Sequence, residues 1–332
     1  EELSDIGVRK KGFIGSQSTE KPSLKLNLDE YVQGAELFGT DNVTLNNQVQ
    51  DPSQIRQCMA YALFADAGLP APRCNFAHVW VNGEDLGIYA HVEPVKRSFL
   101  RERFGSDDGD LYEGTLSDFR EGFIGTFEPK NSDTDESKAA LEALSAAMAP
   151  EDAGLAELET YADTDAFLDF WAMETITGHW DGYNGNLNNF YVYDPPGVEG
   201  FQFIPWGLDD TLDHGVTGEP PFSASVLSNR LLSSEEGAEQ FADRVLELLD
   251  RVWYEDSLLE EVDRIEDLLL AEPGVTLDRD ELDDVRAYLE GRREALASSL
   301  PGDPVQLDSN TYCLREQGTL SAEFSMEWGS LE

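Results

Sequence analysis

Residues 189–205 constrain this chain more than any other stretch. NFYVY and FQFIP are two runs of strand length, rich in aromatic and β-branched residues, and the DPPGVEG between them is turn chemistry from end to end. Each run spans about 17 Å as a strand, so a hairpin carries the chain out and returns it close to where it began. The residues just before the first strand must therefore lie beside those just after the second. Asn188 and Asn189 stand at the near end of one strand, Asp209 and Asp210 just beyond the end of the other, and Asp181 on the loop leading in. Carboxylate and carboxamide oxygens converge there, with no histidine or cysteine forced among them. Oxygen-only ligands suit a hard cation, and one or two carboxylates leave its shell incomplete without the phosphate oxygens that magnesium commonly bridges. Asp181 is then left to accept the proton of an attacking hydroxyl. An aspartate base, an asparagine ligand, a short hairpin and a metal-binding aspartate make the plan of phosphoryl transfer. The plainer reading stays open: Asn and Asp populate turns whatever the function, and Trp180 and Trp206 would simply fill the core.

The rest of the chain bounds that reading. Its 332 residues, 40% of them apolar, are enough for one large domain or for two lobes sharing a cleft. Asp and Glu number 67 against 23 Lys and Arg, a formal charge of −44, and only seven residues are lysine. Such a surface repels polyanions, which excludes nucleic acid and anionic membrane as partners unless there is a strong local exception. A solvated surface suited to high salt or to an extracellular setting accounts for the charge without an acid-dependent function. Cys58, Cys74 and Cys313 form no CxxC pair; they allow one bridge and leave at least one thiol over, without indicating which. No apolar run approaches the roughly 18 residues of a membrane span. The chain opens on EELSD rather than on a signal peptide, so an exported form would already have lost its leader.

Periodicity divides the chain. SLKLNL puts Leu24, Leu26 and Leu28 on one face of a strand and Lys25 and Asn27 on the other. DPSQIRQCMAYALFADAG predicts a helix over 52–67, with Asp51 as N-cap, Pro52 in the first helical position, and a stripe of Ile55, Met59, Ala62 and Leu63. FAHVWVNGEDLGIYAHVE reads as a hairpin about Asn82-Gly83. A short helix is expected over 138–148, and DTDAFLDFWAMETITGHW is a helix apolar enough to lie deep in the fold. In the last third, Phe241, Val245, Leu248 and Val252 share a face, as do Leu258, Val262, Ile265 and Leu269, and Leu282, Val285, Leu289 and Leu296. The acidic NSDTDESK reads as a loop, and TYCLREQGTLSAEFSMEW as a terminal hairpin about Gly318. Strands with one main helix up to about residue 94, and mostly helices after it, predict an α+β chain of two lobes. The divisions are 1–94, 95–305 and a tail over 306–332.

KPSLKLNL, NVTLNNQVQDPSQIRQCMAYALFADAGLPAPR, VWVNGEDLGIYAHVE, GDLYEG, DAFLDFWAMETITGHWDGYNGNLNNFYVY and PWGLDDT succeed one another in an order that resembles the CotH kinase family, the spore-coat-protein-H-like secreted atypical kinases. The likeness runs from about Lys10 to His214 and is weaker in the C-terminal helices. It implies a two-lobed, atypical protein-kinase-like fold, ATP with Mg2+ (or Mn2+) as cofactors, and phosphorylation of Ser or Thr on an extracellular or cell-surface protein. By this resemblance Asp181 is the catalytic aspartate and Asp209 a metal ligand, with Asn189, or its neighbour Asn188, as the second. Lys25, with Lys21 as its rival, would meet the α and β phosphates. The loop of Gly12, Gly15 and Ser16 would cover them with backbone N–H groups, and adenine would bind near Glu93, where the second hairpin strand ends. Two positions depart from the family pattern. Gln57 stands in the first helix where a glutamate is expected to pair with the lysine, and a neutral amide does not neutralise that charge. Gly207 replaces the aspartate of the commoner WDLD form.

Other chemistry finds little support. There is no GxSxG elbow, His78 and His91 fall in hairpin strands, and His179 and His214 lack HExxH spacing. The competing expectation is a catalytically weak, kinase-shaped surface scaffold or binding module. Gln57 argues for it; Asp181, Asn189 and Asp209 argue against it.

Overall fold

The computed structural model describes residues 2–12, 17–37, 39–131, 138–198, 200–213 and 221–304. Gly15, Ser16, His214, Cys313, the expected tail hairpin and most of NSDTDESK lie outside them.

The N-terminal part contains strands β1 (Gly7–Lys11), β2 (Ser23–Asn27) and β3 (Asn42–Asn46), helix α1 (Arg56–Asp66), and strands β4 (Cys74–Val81) and β5 (Glu84–Val92). The strands form one antiparallel sheet in the order β1-β2-β3-β5-β4. Its two faces differ as the alternation in β2 requires. Leu24 and Leu26 pack with Leu28, Val43, Leu45 and Tyr89 on one face. Ile88, Ala90 and Val92 of β5 point the other way and join the main core with α1. Lys25 is paired with Arg9 and with Thr44 and so shares this second face, as does Asn46 opposite Ala90. The β4–β5 turn has Asn82 at φ 54° and Gly83 at φ 85°, the left-handed pair that an Asn-Gly hairpin demands.

Helix α1 begins four residues later than its sequence suggests. Gln54 takes φ 64°, which breaks the helical path, and residues 52–54 are turn and bend. Asp51 still satisfies the helix from a distance: its Oδ2 accepts the Arg56 N–H (2.9 Å), while Oδ1 accepts from Ser53 Oγ (2.5 Å) and Arg56 Nη1 (3.1 Å). Cys58 of α1 is bridged to Cys74 of β4, with Cα atoms 5.0 Å apart. This settles a pairing that spacing alone leaves open.

After β5 come α2 (Arg97–Phe104), β6 (Asp110–Gly114), β7 (Glu128–Pro129), α3 (Ala139–Met148), α4 (Leu155–Leu158), α5 (Thr164–Thr177), α6 (Tyr183–Asn186), β8 (Phe190–Asp194) and β9 (Gln202–Pro205). Helices α7 (Val226–Leu232), α8 (Glu235–Val252), α9 (Glu255–Leu270) and α10 (Arg279–Ser299) complete the order. A second antiparallel sheet runs β7-β6-β8-β9. Helix α5 is the axis of this part. It is capped by Asp163, closed by left-handed Gly178, and buried at every residue from Phe170 to Thr177. Its Trp171 stacks on Phe241 of α8 at 3.6 Å and donates to the Phe222 carbonyl (2.6 Å). One continuous apolar core joins α1, β5, α5, the second sheet and α8–α10, so the chain is α+β, sheet-rich first and helical later. Among the described residues no helix is long and apolar enough to cross a membrane.

Candidate active site

The loop between α5 and β8 is held by two buried carboxylates. Glu174, fully buried on α5, accepts from the backbone N–H of Tyr183 (2.8 Å) and of Asn184 (3.0 Å) and from Asn184 Nδ2 (2.7 Å). It thus satisfies the start of α6 from below. Asp118, also fully buried, accepts from the Tyr183 hydroxyl (2.9 Å) and from the Val226 N–H (3.2 Å), and pairs with Arg120. These contacts fix the loop that carries Asp181.

The four asparagines after that aspartate then fall into two roles. Asn184 belongs to Glu174. The other three close on Asp181: Asn186 Nδ2 donates to Oδ1 (2.6 Å), Asn189 Nδ2 to Oδ2 (2.7 Å), and Asn188 Nδ2 lies 3.3 and 3.2 Å from the two oxygens. Asn189 also donates to the Asp181 carbonyl (3.2 Å). With its N–H groups spent on Asp181, Asn189 keeps Oδ1 as its acceptor for a cation.

The hairpin forms as its sequence requires, with Phe190 opposite Pro205 and Val192 opposite Phe203. Beyond the last pair, the Trp206 N–H donates to the Asn189 carbonyl (3.1 Å), so the two ends are tied together and Asp209 is delivered to the Asp181 side. Protein packed around Asp209 raises its carboxyl pKa, and the charge of Asp181 pushes the same way against the opposing pull of Lys11 and His179. Asp210 is raised by burial, with Asp209 and Asp181 adding to the effect. Among the described residues no three His, Cys, Asp or Glu side chains gather closely enough to hold a metal by themselves. The donors present, a carboxylate and an amide oxygen, suit a magnesium ion that takes the rest of its shell from phosphate and water.

Of the three candidate lysines, the sequence singled out Lys25 and Lys21 and missed Lys11. Lys11, the last residue of β1, donates to Asn46 Oδ1 (2.6 Å) and lies 5.6 Å from the Trp206 ring. Burial lowers its pKa to about 8 against the pull of Asp209, with Lys25 lowering it further. Asn46 Nδ2 in turn donates to Gln57 Oε1 (3.0 Å), and Gln57 Nε2 reaches Asp209 Oδ1 at 3.4 Å. A chain of amides therefore connects Lys11 to the candidate metal carboxylate. Lys25 lies on the same sheet face; its pKa is lowered by burial and by Lys96, Arg9 and Lys130. Lys21 stands apart, its Nζ 5.2 Å from the ring of Tyr89 on the opposite face. A cavity of about 680 Å3 beside the end of β1 is lined by Lys10, Lys11, Gly12, Gln17, Ser18 and Thr19, among others. Lys11 interacts electrostatically with Lys25 and Arg9, and Lys25 with Lys96, Arg9 and Lys130, so four of the seven lysines share one region of the chain, the local exception that an otherwise acidic surface needs before it can attract a polyanion. The Glu93 carboxylate at the end of β5 is held by Arg73 (2.6 Å) and Arg103 (3.3 Å). Alternation in VRKKG puts Arg9 and Lys11 on one face, but only the register of β1 on β2 shows that it is the face of Lys25. Glu174 did leave a sequence signal, as the lone acid in the apolar run FWAMETIT.

The profile of the CotH kinase protein family matches residues 8–296. The chain belongs to the CotH kinase family. It is 24% identical over 289 residues to inner spore coat protein H of Bacillus subtilis, covering 79% of each chain. It is likewise 24% identical over 251 residues to invasin CotH2 of Rhizopus delemar, covering 65% of this chain and 42% of that one. This CotH-family chain therefore spans less than half of that fungal relative. Among solved structures, similarity extends to the Helicobacter pylori proinflammatory kinase CtkA, at 12% identity and a TM-score of 0.45, over 84% of this chain and 91% of that one. Its α+β, kinase-like fold stands with its family membership.

Proposed function

We propose that this CotH-family chain transfers a phosphoryl group from ATP to a Ser or Thr hydroxyl of a protein substrate. Asp181 accepts the hydroxyl proton as that oxygen bonds to the terminal phosphorus and the bond from that phosphorus to the bridging oxygen breaks, the electron pair leaving with ADP. Asp209 and the Asn189 Oδ1 would hold Mg2+ or Mn2+, which would supply neutralisation of charge on the nucleotide phosphates. Lys11 and Lys25 face the remaining phosphate charge. The observation that carries this reading is the Trp206–Asn189 closure, which sets the amide-bound Asp181 and the Asp209 carboxylate at one end of one hairpin. Relatives named for spore coats and for invasion support a coat or surface location, as does the Cys58–Cys74 bridge, which persists in oxidising compartments.

One observation favours the second reading, a surface module that binds without transferring: both Asp181 oxygens already accept amide N–H groups. Radiolabelled ATP with Mg2+ or Mn2+ separates the two. Wild type should incorporate label, and Asp181→Asn and Asp209→Asn should not. Label that persists in both variants removes the mechanism, and nucleotide binding without transfer selects the binding module.

A further inference from the structure

We propose that Asn46 and Gln57 are positioning residues that hold the Lys11 ammonium and the Asp209 carboxylate in a single directional hydrogen-bonded relay. The proposal rests on the nucleotide reading for its purpose, not for its geometry. An ammonium only donates and a carboxylate only accepts, so the end groups dictate how both amides must turn. Asn46 presents Oδ1 to Lys11 (2.6 Å), which leaves its Nδ2 to donate. Gln57 presents Nε2 to Asp209 (3.4 Å), which leaves its Oε1 to accept. The two leftover atoms meet each other at 3.0 Å. No other orientation of either amide satisfies all three contacts.

The relay explains why residue 57 is neutral. Helix α1 carries it to within 3.4 Å of a carboxylate, where a glutamate would meet like charge. Among the described residues it also leaves Lys11 two donors for a phosphate, since its third is fixed on Asn46. The charges around that ammonium are Asp209, Lys25, Glu113 and Arg9, and Trp206 lies 5.6 Å from it. A phosphate on Lys11 and a cation on Asp209 are then bound in one rigid frame, and each binds better for the other.

Two measurements test this on the whole chain, with Asn46→Leu, Gln57→Met and the double variant, all compared by melting temperature for intact folding. The first needs no nucleotide. Limiting acetic anhydride followed by mass spectrometry gives the acylation of Lys11 relative to exposed Lys10. Loss of the acceptor chain should raise that ratio roughly threefold in Asn46→Leu, and in the same direction in Gln57→Met. An unchanged ratio in both overturns the relay whatever the nucleotide does. The second is titration with the fluorescent analogue MANT-ATP in the presence of Mn2+. Each single variant should bind about tenfold more weakly, and the double variant no worse than either, because one relay can be broken only once. Losses that multiply to about a hundredfold overturn it as a unit. Wild type that fails to bind MANT-ATP while the acylation ratio shifts would reject the nucleotide reading and retain the relay.

Discussion

Gly207 and Asn189 are packed so closely that a β-carbon on Gly207 would lie 2.6 Å from both Cγ and Oδ1 of Asn189. Gly207 also takes φ 56°, a left-handed conformation that costs other residues free energy. The glycine in PWGLDD therefore makes room for the amide that binds Asp181. Gly207→Ala should lower stability by about 1–3 kcal/mol through strain and overlap. It should also displace Asn189 and reduce phosphoryl transfer at least about tenfold. Denaturant midpoints and rates of label incorporation check the two effects separately, and unchanged values in both would reject the packing argument.

Glu174 places a carboxylate with no solvent exposure beneath the loop of Asp181, where three N–H groups converge on it. Glu174→Gln keeps the volume but replaces one acceptor oxygen with a donor that faces N–H groups. Stability should fall by about 2–3 kcal/mol, the usual scale for losing hydrogen bonds to a buried charged group. Amide hydrogen exchange should quicken over residues 182–187 while the five-stranded sheet stays protected. Exchange that quickens equally everywhere would show Glu174 to be a general core residue instead.

The range of the interactions decides which features the sequence makes legible. The hairpin, the buried helix α5 and the Asn82-Gly83 turn were legible because periodicity and turn chemistry are local. So was the convergence of Asp181, Asn189 and Asp209, which depends on the length of one hairpin. The start of α1 was misplaced because Asp51 resembles a cap at the next residue, while its carboxylate in fact serves Arg56 across the turn set by Gln54. Lys11 was missed for a different reason: choosing among Lys11, Lys21 and Lys25 requires strand register and the place where α1 sets Gln57. These are tertiary facts, and no spacing encodes them.

The Cys58–Cys74 bridge clamps α1 to β4 one residue away from Gln57. With 16 residues of separation, its loss should destabilise the chain by about 3 kcal/mol on the loop-closure estimate. Cys58→Ser should show this by chemical denaturation, and wild type in reductant should match it. If Gln57 depends on the clamp, MANT-ATP affinity should fall along with stability. Lower stability with unchanged affinity would confine the bridge to folding.

Lys11 gives nucleotide binding and stability opposite responses to alkali. Its amine releases a proton near pH 8 in the folded chain against 10.5 for an ordinary lysine, chiefly because of burial. Between those values the unfolded chain holds more protons than the folded one, so stability rises with pH across that window. The cost of burying the cation is fully present below pH 8 and is relieved above it. Nucleotide affinity should run the other way, level below pH 8 and falling above it by at most about tenfold per pH unit, as the cation facing the phosphates disappears. Lys11→Met should flatten the affinity curve, with weak binding at every pH, and lessen the rise in stability to what the lowered Lys21 and Lys25 still contribute. Titrations with MANT-ATP and urea denaturation from pH 7 to 10 measure the pair. Affinity in wild type that stays constant through pH 9 would exclude Lys11 as the phosphate-facing cation and return that role to Lys25.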